Sequence, residues 1–209
     1  FFNHFNGTDP TMAEVLSEKG YETVAWIENM ALDMINVTRG FDEVVCPFED
    51  ADADLFEFVE GVSGDGKTFV FIHLFDVHKP YCYTPGGAER ERYNEGLYDR
   101  LDGLLPADCA ASDLIEEAAT EATETVPNYD TLTDSLQEYA TNWSLDYLLR
   151  NRLEERYGED RFEYLVRLYQ AGVSDFDRGR FADLIDALRA EQLSEDLMLV
   201  TSDHGEARC

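Results

Sequence analysis

The chain has 209 residues, which is within the usual size range of one domain and long enough to bury a hydrophobic core. Its 45 acidic side chains outnumber 16 basic ones and leave a formal net charge of -29, which disfavours binding to nucleic acid phosphates and to anionic lipid surfaces. The hydrophobic fraction of 44% argues against disorder, so we expect a folded protein whose acidic surface is an adaptation to high salt.

Cysteine usage and hydropathy exclude further classes of protein. The four cysteines, Cys46, Cys82, Cys109 and Cys209, are widely scattered, so we expect neither a zinc knuckle nor a disulfide scaffold. No segment approaches the roughly 18 consecutive apolar residues of a membrane span, and no secretory signal opens the chain. We therefore expect a soluble protein, with a cytoplasmic location slightly favoured.

The first part of the chain alternates between helical and strand-like patterns. Residues 8–20 predict a short helix with Asp9 at its N-cap, Pro10 in its first turn and a glycine at its end. Residues 21–27 are rich in β-branched and aromatic side chains and predict a strand. The Gly-Phe-Asp sequence at 40–42 is expected in a loop that leads to a second short apolar stretch.

The same alternation continues up to residue 74. Residues 52–62 predict a helix with one apolar face. The uninterrupted apolar run at 68–74 predicts a central parallel strand that is buried on both faces. Residues 86–145 contain short helical patches broken by Gly and Pro, which predict a helical insertion. This insertion is expected to be either a cap over the substrate side or a solvated acidic surface.

The 3.6-residue period returns at 143–156 and 160–193, where we expect helices that pack on the sheet. The apolar run at 196–201 then predicts a third buried strand. Together these patterns predict one α/β domain over residues 1–209, in which helices flank a mostly parallel sheet.

Polar side chains follow two of the predicted strands, at the edge of the sheet where ligands bind in open α/β folds. Asp203 and His204 follow the last strand, and Gly205 would permit a turn that brings both side chains to one divalent ion. Such an ion needs further ligands from elsewhere in the chain. On spacing alone, Asp203 could equally cap a helix and His204 could simply be exposed.

His78 and Lys79 follow the strand at 68–74. The histidine can protonate a leaving oxygen, and the lysine supplies a positive charge for an anionic group. The alternative is that both are exposed loop residues. His73, inside the strand, is expected to be a hydrogen-bonded core residue, or one that supports a ligand residue, rather than a ligand itself.

Four stretches resemble the sulfatase family in their expected order. "FVFIHLFDVHKPYCYTP" (69–85) resembles the strand and loop that end in Asp-Pro-His-x-Pro-Tyr, with Val77 in place of the usual Pro, and "LMLVTSDHGE" (197–206) resembles a later strand. "YQAGVSDFDRGRFADLIDAL" (169–188) is similar to a family helix, with Asp177 at its acidic position. "TMAEVLSEKGYETVAWI" followed by "RGFDEVV" resembles the family's Leu-x-Glu-x-Gly-Tyr helix, strand and Gly-Phe-Asp loop. Residues 86–145 show hardly any resemblance.

The resemblance implies an enzyme with an alkaline phosphatase-like α/β fold. Such an enzyme hydrolyses small-molecule or carbohydrate sulfate esters at a divalent metal. The metal is usually Ca²⁺, with Mn²⁺ or Mg²⁺ also possible. Asp203 and His204 match two metal ligands, and His78 matches the histidine that contacts the sulfate ester and helps to protonate the leaving oxygen. Lys79 lies beside it as a substrate-binding residue.

Two parts of the family pattern are missing from these 209 residues. The nucleophile motif Cys/Ser-x-Pro-x-Arg, whose first residue becomes formylglycine, is absent, and so is the pair of Asp residues upstream of it; Cys46 and Cys82 lack the required spacing. We therefore expect an internal portion of a sulfatase-like domain, inactive by itself, with the formylglycine in an upstream segment. The alternatives are a phosphonate monoester or phosphodiester hydrolase or phosphotransferase of the same superfamily, and a truncated non-catalytic pseudoenzyme or binding module.

Overall fold

The computed structural model describes residues 9–29, 32, 35–47, 50, 52–62, 66–78, 105, 110–132, 134–157, 161–191, 193 and 197–202. In these ranges the elements follow in the order α1 (Met12–Ser17), β1 (Glu22–Ile27), β2 (Glu43–Val45), α2 (Leu55–Gly61), β3 (Thr68–His73), α3 (Ala111–Thr125), α4 (Asp134–Tyr157), α5 (Arg161–Arg178) and α6 (Arg180–Ala190). A small parallel sheet is flanked by helices, which confirms the predicted α/β class.

The N-cap of α1 lies two residues later in the chain than the predicted one at Asp9. Thr11 is the N-cap, since its hydroxyl accepts a hydrogen bond from the Glu14 backbone N–H at 3.1 Å. The Glu14 carboxylate in turn accepts the Thr11 backbone N–H at 2.7 Å. This reciprocal capping box satisfies two backbone donors, which explains why Thr11 is used instead of Asp9.

The described sheet has three strands in the order β2-β1-β3, and both pairs are parallel. Strand β1 lies in the centre, and its residues from Val24 to Ile27 are at most 4% exposed. Strand β3 has a neighbour on one side only among the described residues, and its side chains are half-buried. The prediction that the 68–74 run is the central strand, buried on both faces, is therefore wrong for the described sheet.

The Gly-Phe-Asp loop joins β1 to β2 through Asp42. The Asp42 carboxylate accepts hydrogen bonds from both the backbone N–H and the hydroxyl of Thr23, each at 2.9 Å. Phe41 packs over Phe69 and Phe71, whose ring centroids lie 5.7 and 6.0 Å away on one face of β3. The loop thereby fixes the register between the two strands and covers part of the sheet.

The same loop also contacts the capping box of α1. Gly40 has a φ of 94°, and a β-carbon there would lie 2.4 Å from the Glu14 Cγ, so only glycine fits. The Arg39 carbonyl accepts a hydrogen bond from the Thr11 hydroxyl at 2.8 Å. The Arg39 guanidinium forms an ion pair with the Glu14 carboxylate, with 3.1 Å between Nε and Oε1. The motif that resembles the sulfatase loop thus has a structural role in this protein.

Two hydrophobic clusters organise the described chain. The sheet cluster brings α2 and α6 onto β1, and its buried members are Trp26, Leu55, Val59 and Leu184. The helical cluster joins α3, α4 and α5, and its buried members are Leu105, Leu114, Ala118, Leu145, Leu148, Leu149 and Leu168. Helix α6 packs on the sheet as predicted, whereas α4 and α5 pack against other helices in the helical cluster, so the prediction is wrong for these two. The described part of 86–145 is largely helical, and its role as an insertion stays a prediction.

The apolar run at 197–200 forms no strand and is exposed. Leu197 and Leu199 are 77% and 82% exposed. The prediction of a third buried strand at 196–201 is therefore wrong for the described residues 197–201. Burial of such a run requires a partner strand, which local hydrophobicity does not specify.

No helix among the described residues is long and apolar enough to cross a membrane.

Candidate functional site

The candidate site lies where β1 and β3 end side by side at the carboxyl edge of the parallel sheet. Glu28 follows β1 directly, and its backbone N–H donates to the His73 carbonyl at 3.2 Å, which extends the pairing of the two strands. Asp76 and His78 follow β3. Arg180 is the first residue of α6 and reaches the same edge.

Arg180 joins the two acidic side chains in a buried ion network. Its Nη1 lies 2.8 Å from Asp76 Oδ2, and its Nη2 lies 2.5 Å from Glu28 Oε1. The side chains of Arg180, Glu28 and Asp76 are 1%, 0% and 6% exposed. We refer to these three residues as the Glu28–Asp76–Arg180 network.

Hydrogen bonds from the surrounding chain offset part of the desolvation of Glu28. Its Oε1 also accepts the Trp26 indole N–H at 2.9 Å, and its Oε2 accepts the Phe75 backbone N–H at 3.0 Å. A buried carboxylate is tolerated only when it is paired and hydrogen-bonded in this way. Glu28 therefore connects the core residue Trp26, the cation Arg180 and the segment that follows β3.

His78 lies on a turn directly after that segment. Its backbone N–H donates to the Phe75 carbonyl at 3.0 Å, which closes the turn. Its half-buried imidazole stacks on the Phe75 ring, with centroids 4.0 Å apart and planes inclined by 15°. The turn thus holds an ionisable ring at the carboxyl edge of the sheet.

The other predicted site residues, Lys79, Asp203 and His204, lie outside the described residues. Within the described part of the chain, no group of three or more His, Cys, Asp or Glu side chains could hold a metal ion. The two buried carboxylates at the strand ends, Glu28 and Asp76, are already engaged by Arg180. The described donors alone therefore do not fit a calcium site, which needs about six oxygen ligands.

Sequence reasoning missed Glu28 and Arg180 and assigned no role to Asp76. One signal was present, because "VAWIE" ends a buried apolar run with a carboxylate that has no local partner. The pairing itself had no local signal, since Arg180 is 152 residues from Glu28 and 104 from Asp76.

Comparison with known proteins adds no family assignment. No protein-family model, curated protein or solved structure matches the chain. The similarity to sulfatases therefore depends on the four quoted stretches.

Proposed function

We propose that this chain is part of a metal-dependent hydrolase of sulfate esters with an alkaline phosphatase-like fold. The observation that carries the proposal is the position of His78, whose half-buried imidazole is held on a turn at the carboxyl edge of a parallel sheet. Binding sites of open α/β folds lie at this edge. The sequence around His78 is also one of the four stretches that resemble sulfatase motifs.

In this proposal His78 donates a proton to the oxygen of the departing alcohol as the ester bond breaks. A histidine suits this role because it changes protonation state near neutral pH. Lys79 contributes a positive charge to the binding of the sulfate group. Asp203 and His204 are proposed as two ligands of a divalent metal ion, the remaining ligands coming from residues outside this set.

The test is an ester panel assayed with the product of the whole open reading frame that encodes these residues. The panel contains 4-nitrophenyl sulfate, 4-nitrophenyl phosphate, 4-nitrophenyl phenylphosphonate and bis(4-nitrophenyl) phosphate, each in molar KCl with calcium or with EDTA. We expect calcium-dependent hydrolysis with sulfate as the preferred ester. Preference for a phosphorus ester would move the proposal to a phosphoryl hydrolase, and no turnover of any ester would contradict it.

Two lysine variants provide a matched comparison in the same assay. Lys79→Ala is expected to raise KM for the sulfate ester, because it removes a charge proposed to bind the substrate anion. Lys19→Ala removes the same charge at an exposed position after α1 and is expected to leave KM unchanged. Equal effects of the two substitutions would indicate a general charge effect and would remove Lys79 from the site.

A further inference from the structure

We propose that Arg180, acting through Glu28 and Asp76, is a positioning residue for the His78 imidazole. The positioning can be measured without any reaction, whereas its importance for catalysis rests on the proposed function. The inference follows from three contacts that lead from the start of α6 to the His78 ring.

The first contact fixes the beginning of the turn. Glu28 Oε2 accepts the Phe75 backbone N–H at 3.0 Å while Glu28 Oε1 pairs with Arg180 Nη2. The carboxylate thus has one oxygen on the cation and one on the turn. Rotation of the Glu28 carboxylate would break both contacts, so the guanidinium holds the carboxylate in the orientation that binds Phe75.

The second contact fixes the next residue of the turn. Asp76 Oδ2 lies 2.8 Å from Arg180 Nη1, and Asp76 is buried. Two adjacent residues of the turn are therefore held by one guanidinium, the first through Glu28 and the second directly. The planar guanidinium presents its N–H groups in a fixed geometry, which a lysine ammonium does not.

The third contact transfers this arrangement to the imidazole. Phe75, whose backbone is held by Glu28, stacks its ring on the His78 ring at 4.0 Å between centroids. The His78 backbone N–H closes the same turn on the Phe75 carbonyl. The orientation of His78 therefore depends on the backbone position of Phe75 and Asp76.

The anchoring end of the network is packed into the core. Arg180 begins α6, and Leu184, one turn later, is 3% exposed in the sheet cluster with Trp26. Trp26 also donates its indole N–H to Glu28. The network is thus attached to the packed core on one side and to the turn on the other.

A purely structural role explains the network poorly. Well-packed apolar side chains of similar volume often stabilise a core as well as a buried ion pair or better, because the charges must be desolvated. The neighbouring sheet cluster is apolar, so this part of the core also accommodates well-packed apolar side chains. We assign the three charged residues to the fixing of the turn that carries His78.

The experiment is NMR of the protein labelled with ¹⁵N-histidine, in molar KCl. The chain has four histidines, and His78→Gln assigns the His78 ring signals. Stacking on Phe75 should shift the His78 ring protons upfield. We expect Arg180→Lys and Asp76→Asn to move these signals toward the values of an unstructured histidine. Arg189→Met, which alters an exposed arginine of the same helix, should leave them in place.

Far-UV circular dichroism and the Trp fluorescence spectrum establish that each variant is folded. Folded Arg180→Lys and Asp76→Asn proteins with unchanged His78 signals would overturn the inference. Failure of both variants to fold would assign the network a purely structural role and would overturn it as well.

A parallel activity measurement separates this inference from the proposed function. In the product of the whole open reading frame, Arg180→Lys should lower kcat for the sulfate ester by up to about 100-fold, a loss that a misplacement of about 1 Å can cause. Shifted His78 signals in a protein that hydrolyses no ester would contradict the proposed function and leave the positioning role intact.

Discussion

The guanidinium of Arg180 and the carboxylate of Glu28 form a buried ion pair across 152 residues of sequence. Asp76 binds the same guanidinium, so the end of β1, the turn after β3 and the start of α6 meet at one point. Because one buried cation serves both buried carboxylates, the loss of Arg180 would remove the ion-pair partner that Glu28 and Asp76 share.

We expect Arg180→Met to destabilise the protein by about 3–5 kcal/mol, the usual effect of removing one partner from a buried ion pair. Arg189→Met is the matched control, since Arg189 lies on the same helix and its ion pair with Asp186 is exposed. Exposed pairs contribute about 0–1 kcal/mol. Urea unfolding monitored by circular dichroism measures both changes, and equal effects of the two substitutions would contradict the account.

Gly40 and Gly20 allow backbone conformation to be separated from close packing. Both have positive φ, but a β-carbon at Gly20 meets nothing within 4 Å, whereas one at Gly40 meets the Glu14 Cγ at 2.4 Å. Gly20→Ala should therefore lower the unfolding free energy by about 1–2 kcal/mol, the cost of left-handed backbone for a residue with a β-carbon. Gly40→Ala should lower the unfolding free energy by a larger amount than Gly20→Ala does. A Gly40→Ala effect no larger than that of Gly20→Ala would show that the Gly40 contact is easily relieved.

The pKa of Glu14 is held below its ordinary value of 4.5, chiefly by the hydrogen bond from the Thr11 backbone N–H and further by Arg39, while burial opposes the shift. A lowered pKa in the folded protein means that the carboxylate stabilises the fold above about pH 4.5. This stabilisation is lost as the pH falls through the folded-state pKa.

Glu14→Gln tests this prediction. The stability difference between the parent protein and Glu14→Gln should be constant near neutral pH and should shrink below about pH 4.5. Urea unfolding at a series of pH values measures it, with Glu60→Gln, an exposed residue of α2, as the control. A difference that grows as the pH falls would contradict the assignment.

The net charge of -29 predicts a protein that is more stable in concentrated salt. Self-repulsion destabilises the compact state in dilute buffer, and counterions screen it. We expect Tm to rise steadily from low salt to molar KCl. Sorbitol of equal osmolality is the uncharged control, and it should raise Tm less than KCl does. A fold that melts no sooner in low salt than in molar KCl would contradict the proposed adaptation.

The local elements could be predicted because their signals are local. The run that forms β1 and the apolar face of α2 were recognised from a few neighbouring residues. The N-cap of α1 was misplaced because Asp9 and Thr11 are both good capping residues, and only Thr11 has a glutamate at the N3 position, Glu14.

The candidate site was predictable only in part. His78 was identified because it follows an apolar run directly, which is a local pattern. Glu28 and Arg180 were missed because their pairing depends on how distant elements pack. The exposed run at 197–200 was wrongly predicted as a buried strand for the same reason, since hydrophobicity favours burial but strand pairing is a long-range property.

The central claim is that His78 protonates a departing oxygen, and the most direct measurement varies that oxygen. Values of kcat/KM for 4-nitrophenyl sulfate and phenyl sulfate are compared between the product of the whole open reading frame and its His78→Gln variant. Phenoxide is the more basic leaving group and depends more on proton donation. We predict that His78→Gln lowers kcat/KM for phenyl sulfate by about 10²–10⁴-fold and that for 4-nitrophenyl sulfate much less. An equal loss with both esters would contradict the role of His78 as a general acid.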